Sequence, residues 1–115
     1  MDKVEFKKEL FDKVQTIRNV SFVEISRMSG AKGDNTKTLH TPKGPAVLWI
    51  GLSKLALDCI DELIDEKKIE AVPADYLTYY ADGNVLKLPL FTNRKAKRDR
   101  WMPVVFNPYY SIPRV

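Results

Sequence analysis

The sequence predicts a single α+β domain over residues 1–115, built of three helices, a β-hairpin and a C-terminal edge strand. Three observations carry that reading. Apolar residues recur every three or four positions over 3–18 and again over 53–68. Ser21 and Ser53 each stand where a helix cap is needed. Asp82-Gly83 divides two alternating runs between 76 and 89, a strong short-range hairpin signal.

Each element follows in order. Phe6, Leu10, Val14 and Ile17 line one side of a first helix from Lys3 to Arg18. Ser21 with Glu24 forms a capping box, and Val20 is spaced to staple against Ile25, so a second helix runs from Phe22 to Met28. Gly30 closes it with a left-handed residue. Residues 31–45 have no period and are rich in turn formers and threonine, which reads as a mobile loop. Ala46 to Ile50 is apolar throughout and too short for periodicity to choose between a buried strand and a helical turn. Leu52 and Ser53 open the clearest helix, which reaches Lys68. Ala56, Cys59, Ile60, Leu63 and Ile64 form its inward stripe, and Lys67 and Lys68 suit the negative end of the helix dipole.

An Asp82-Gly83 type I′ turn would set Tyr79 opposite Leu86 and Leu77 opposite Leu88, sending these four side chains to the core. Tyr76, Thr78 and Tyr80 would then share the other face beside Lys87. Met102 to Phe106 supplies the edge strand, where Pro103 is tolerated, and 107–115 reads as an extended tail.

Composition bounds the function. Hydrophobic residues are 44% and charged residues 30% of the 115, the balance of a chain that buries one core. The longest apolar runs fall well short of the roughly 20 residues that span a bilayer, so no membrane partner is expected. The first eight residues lack the apolar core of a secretory signal, and the lone Cys59 falls on a helix stripe, so a cytoplasmic protein with no disulfide is expected. The net charge of +4 is unevenly spread, with acids crowded into 58–70 and Arg94, Lys95, Lys97, Arg98 and Arg100 close together.

Gly51-Leu52-Ser53 through Lys67-Lys68-Ile69-Glu70 is a capped helix that runs into the 76–89 hairpin. With the two preceding helices, this order of elements resembles a winged-helix domain over residues 3–90. The resemblance implies that the 53–68 helix corresponds to a recognition helix and the hairpin to the wing, and it implies DNA binding. Two features depart from the pattern. The 31–45 loop is long, unless Pro45 to Ile50 is itself a helix. The supposed recognition helix also carries Asp58, Asp61, Glu62, Asp65 and Glu66, which would oppose the phosphate chains of a groove.

The run from Asn93 to Trp101 joins five cations to an aromatic ring, a mixture suited to phosphate contact with base stacking. A solvated basic loop with Trp101 turned into the core is equally compatible with the composition. Lys32, Lys37, His40 and Lys43 form a second basic element. The expected nucleic-acid contacts are Lys54, Lys87, Arg94, Lys95, Lys97, Arg98, Arg100 and Trp101, with DNA or RNA as partner. The alternative is a protein-interaction module that uses the acidic 53–68 helix and the tyrosine face. One histidine and one cysteine exclude the usual zinc ligand sets, and Lys43-Gly44-Pro45 is not a phosphate-binding loop, so no cofactor and no enzyme activity are expected.

Overall fold

The computed structural model describes residues 2–41, 44–83, 86, 90 and 100–109. Helix α1 (Lys3–Ile17) starts at Asp2, whose carboxylate accepts from the Glu5 amide at 2.8 Å. Its 3.6-residue period buries Phe6, Leu10 and Val14. Ile17, expected on the same stripe, is exposed because the chain turns away at Arg18 and Asn19, which have φ of 61° and 49°. The turn is pinned by a reciprocal amide pair: Asn19 N donates to Asn107 Oδ1 at 2.8 Å, and Asn107 Nδ2 donates to Asn19 Oδ1 at 3.0 Å.

Strand β1 (Val20–Ser21) leads into the short helix α2 (Phe22–Ser26), whose Ser21 cap accepts from Glu24 N at 3.3 Å as expected. Gly30 has φ 85°, within a turn beyond the helix in which Ala31 N donates to Met28 O.

The segment expected as a mobile loop, 31–45, is corrected. Strand β2 (Lys32–Thr41) pairs antiparallel with β3 (Gly44–Leu52), in a register that includes Thr38 opposite Val47 and Leu39 opposite Ala46. β2 lies at a sheet edge and is mostly exposed, so selection for an apolar alternation is absent, and its ladder depends on the apolar neighbour β3. Gly33 is needed there, because a Cβ would lie 2.6 Å from Ser53 Cα. The choice left open at 46–50 is settled as strand, with Ala46 to Trp49 all buried.

Helix α3 (Lys54–Asp65) follows directly. Ser53 Oγ accepts from Ala56 N at 3.1 Å and donates to Gly30 O at 2.6 Å, joining the helix start to the turn before β2. Ala56, Cys59, Ile60 and Leu63 are buried, and Ile64 packs partly against the core. Lys67, at φ 58°, and Lys68 lie beyond the helix rather than in its last turn.

The expected hairpin is also corrected. β4 (Ile69–Pro73) comes first, and Tyr76–Asp82 is helix α4, capped by Asp75, whose carboxylate accepts from Leu77 N at 2.9 Å. Gly83, at φ 101°, is the left-handed residue that ends this helix. A left-handed glycine serves a helix terminus as well as a hairpin turn, so the Asp82-Gly83 signal did not discriminate. Tyr79 is buried as expected, but Leu77 is 55% exposed. The hairpin's second strand falls at 84–89, of which only Leu86 belongs to the described residues; it packs partly against the core.

β5 (Arg100–Trp101) runs parallel to β3, and β6 (Val104–Pro108) is paired on both sides in the order β1-β6-β4. The expected edge strand is therefore central, and Pro103 stands between strands rather than inside one. Asn107 and Pro108 of the expected tail belong to β6, while 110–115 lie outside the described residues. The second sheet is ordered β2-β3-β5. A five-ring aromatic cluster joins both sheets: Phe22 meets Phe106 edge-on at 5.1 Å, and Tyr79 sits 5.2 Å from Trp49 and 5.1 Å from Trp101. The fold is mixed α+β, with four helices and two small sheets among the described residues. No helix among them is long and apolar enough to cross a membrane.

Candidate functional site

The acids at 58–66 stay accessible to solvent, and four of the five are paired with lysines, their side chains 37–49% exposed. Glu62 is bound by Lys3 and, at 3.2 Å, by Lys7; Glu66 by Lys7 at 2.6 Å and Lys68 at 3.4 Å; Asp61 by Lys37 at 2.6 Å; and Asp58 by Lys54 at 3.1 Å. Hydrogen bonds from Lys3 and Lys7 hold the Glu62 carboxyl below its ordinary value, and the bond from Lys7 does the same for Glu66. Reciprocally, Glu62 raises Lys3, and Glu66 followed by Glu62 raises Lys7. Lys54 and Lys68 are close in sequence to the acids they pair with, whereas Lys3 and Lys7 of α1 and Lys37 of β2 reach theirs only in the folded chain.

Cys59 faces the α1 backbone, where its thiol donates to Lys3 O at 3.7 Å. Burial, with Glu62 nearby, pushes the thiol up, which leaves it little thiolate and little reactivity.

The expected nucleic-acid contacts divide into three groups. Lys54 is exposed, with its side chain 83% accessible, and paired to Asp58 four residues on. Arg100 donates from Nη1 to Leu90 O at 3.2 Å. Of the two readings of Trp101, the ring turned into the core is the one found and the stacking ring is corrected: it is 2% exposed and packs on Trp49 and Tyr79, so no base can reach it. Its indole N–H and the Arg100 Nε are buried without a hydrogen-bond partner among the described residues. Lys87, Arg94, Lys95, Lys97 and Arg98 lie outside the described residues.

Register separates the two ends of the expected surface. Arg100 pairs with Ala46 at one end of β3, whereas Lys54 follows Leu52 at the other, about 20 Å along the strand. Near Arg100, Leu90 forms a parallel bridge with Trp101. Leu90 and Arg100, which flank residues 91–99, are therefore neighbours in space.

A second feature was missed in the sequence. Val4, Lys7, Lys8 and Phe11 of α1, with Leu63 and Lys68, line a groove of about 380 Å³. Lys68 Nζ lies 6.0 Å from the centre of the Phe11 ring. Val4 and Phe11, seven apart, form a second apolar line beside the Phe6–Leu10–Val14 stripe, and that spacing is legible in the sequence. No family model, no curated protein and no solved structure matches this chain.

Proposed function

We propose that this chain is a non-enzymatic, cytoplasmic module that binds nucleic acid through the basic segment around 94–100. One observation carries the reading. Residues 84–100 hold six cations (Lys87, Arg94, Lys95, Lys97, Arg98, Arg100) and one acid (Asp99), a net +5 against +4 for the whole chain, so the remainder is at −1. The Leu90–Trp101 bridge supports it, since it sets residues 90 and 101, on either side of the basic run, together at one sheet edge. The lysine-bound acids of α3 support it further, because their repulsion of phosphate is already offset within the fold. From the winged-helix pattern this reading keeps three successive helices, α1, α2 and α3, with β1 and the β2–β3 pair between them; α4 stands where the wing was expected, and the phosphate contacts move to 94–100 with Lys87.

Fluorescence anisotropy with labelled mixed-sequence DNA and RNA, single- and double-stranded, tests it at low and near-physiological salt. Salt-sensitive binding is expected, with the slope falling by about one for each cation removed when Arg94, Lys95, Lys97 and Arg98 are changed to Gln. No binding at low salt, or binding indifferent to those changes, would overturn it. The protein-interaction alternative is favoured by Leu77 and Tyr80, three apart on α4 and 55% and 72% exposed. Its acidic helix face loses weight, because those carboxylates are occupied.

A further inference from the structure

The α1–α3 groove has a distinct chemistry from the basic segment. Its floor is apolar, with Val4 78% exposed and Phe11 only partly buried, and its rim is basic. Three lysines line it (Lys7, Lys8 and Lys68), of which Lys7 is paired with Glu62 and Glu66 and Lys68 with Glu66. Among the described residues Lys8 has no ion pair. It lies four residues from Val4 and three from Phe11, on the same face of α1.

We propose that this groove docks an acidic segment of a partner protein that carries one large apolar side chain. The apolar side chain seats on Val4, Phe11 and Leu63, and the flanking carboxylates meet Lys8 and Lys68. Three considerations select this occupant. A free small molecule needs a site that buries roughly 70–90% of its surface, and a groove floored by so exposed a residue as Val4 cannot enclose one; a protein segment brings its own cover. A nucleic acid would satisfy the lysines but leave Val4 and Phe11 uncovered. A purely apolar partner would bury Lys8 without a counter-charge.

Heteronuclear NMR on the full chain provides the test. The probes are three acetylated, amidated hexapeptides with two acids on each side of Leu-Ser, Phe-Ser or Trp-Ser, and a control with Ser-Ser at the centre. At least one apolar probe is expected to shift the amides of 4–11 and 63–68, with affinity about tenfold above the control. Lys8→Glu with Lys68→Gln should abolish the shifts with the apolar probes while leaving the fold intact, since both side chains are exposed. The proposal is overturned if none of the three probes shifts these amides at millimolar concentration. It is equally overturned if the Ser-Ser control shifts them as strongly, or if the shifts centre on residue 100 instead.

Discussion

Helices α3 and α4 begin alike and are held differently. Each is capped by a side-chain oxygen at the residue before it, Ser53 for one and Asp75 for the other, and each is followed within two residues by a positive φ, at Lys67 and Gly83. α3 spreads its burial over Ala56, Cys59, Ile60 and Leu63. α4 rests on Tyr79, fully buried between the two sheets, while Leu77 and Tyr80 on either side of it face solvent. The Tyr79 hydroxyl donates to Val104 O at 2.6 Å and accepts from Phe22 N at 3.1 Å, so one side chain joins α4 to β6 and α2. A helix secured by a distributed stripe announces itself through its period. One secured by a single aromatic anchor does not, because one apolar position has no period.

The largest effect should therefore come from removing the anchor. Tyr79→Ala is expected to cost about 3–5 kcal/mol in urea unfolding and to strip amide-exchange protection from 76–82 before 54–65. Equal loss of protection in both helices would break the contrast. Tyr79→Phe keeps the ring and removes only the hydroxyl, so a cost of about 1–3 kcal/mol is expected from the two backbone groups it serves. The caps sharpen the comparison further. Ser53→Ala should cost about 1–2 kcal/mol, because Ser53 Oγ also holds Gly30 O, whereas Asp75→Ala should cost about 0.5–1 kcal/mol; the reverse order, read by thermal unfolding, would show α4 to be the more dependent on its start.

The smallest effect concerns α3 alone. Glu62 and Glu66 are held below the ordinary glutamate value of 4.5, so their contribution is present above it and is lost as pH falls through the lowered values. Lys3 and Lys7 are raised above 10.5, so theirs is present below it and lost as pH rises through the raised values. Unfolding midpoints should be flat between these limits, fall on both sides, and flatten on the acid side in Glu62→Gln with Glu66→Gln. An unchanged acid limb in that variant would mean the lysine pairs do not stabilise α1 against α3.

The site was less legible than the fold for a related reason. Val4 and Phe11 are visible as an i, i+7 pair, but Leu63 and Lys68 join them only through the contact of α1 with α3. Trp101 was open between a stacking ring and a core ring because only the basic residues that precede it are adjacent in sequence. Its neighbours in space are Trp49 and Tyr79, separated from it by 52 and 22 residues of chain. The pairing of the acids at 61, 62 and 66 was not legible because the lysines that bind them, Lys3, Lys7 and Lys37, lie on other elements and are remote in sequence.

By itself the sequence determined what is local: α1 to within one residue of its Lys3–Ile17 span, the start of α3 at Ser53 though its end at Asp65 comes three residues before the expected Lys68, the Ser21 and Ser53 caps, the burial of Cys59 and the mixed α+β class. A 3.6-residue period and a hydroxyl before it are written in adjacent residues. Tertiary structure alone decided that 32–41 is a strand, that 76–82 is a helix, that 104–108 is central rather than edge, and that the acidic helix is neutralised. In each case the deciding partner comes from another part of the chain: β3 for the polar strand, the two sheets for Tyr79, β1 and β4 for β6, and α1 and β2 for the carboxylates. Such free energy depends on which surfaces meet, and no local pattern records it.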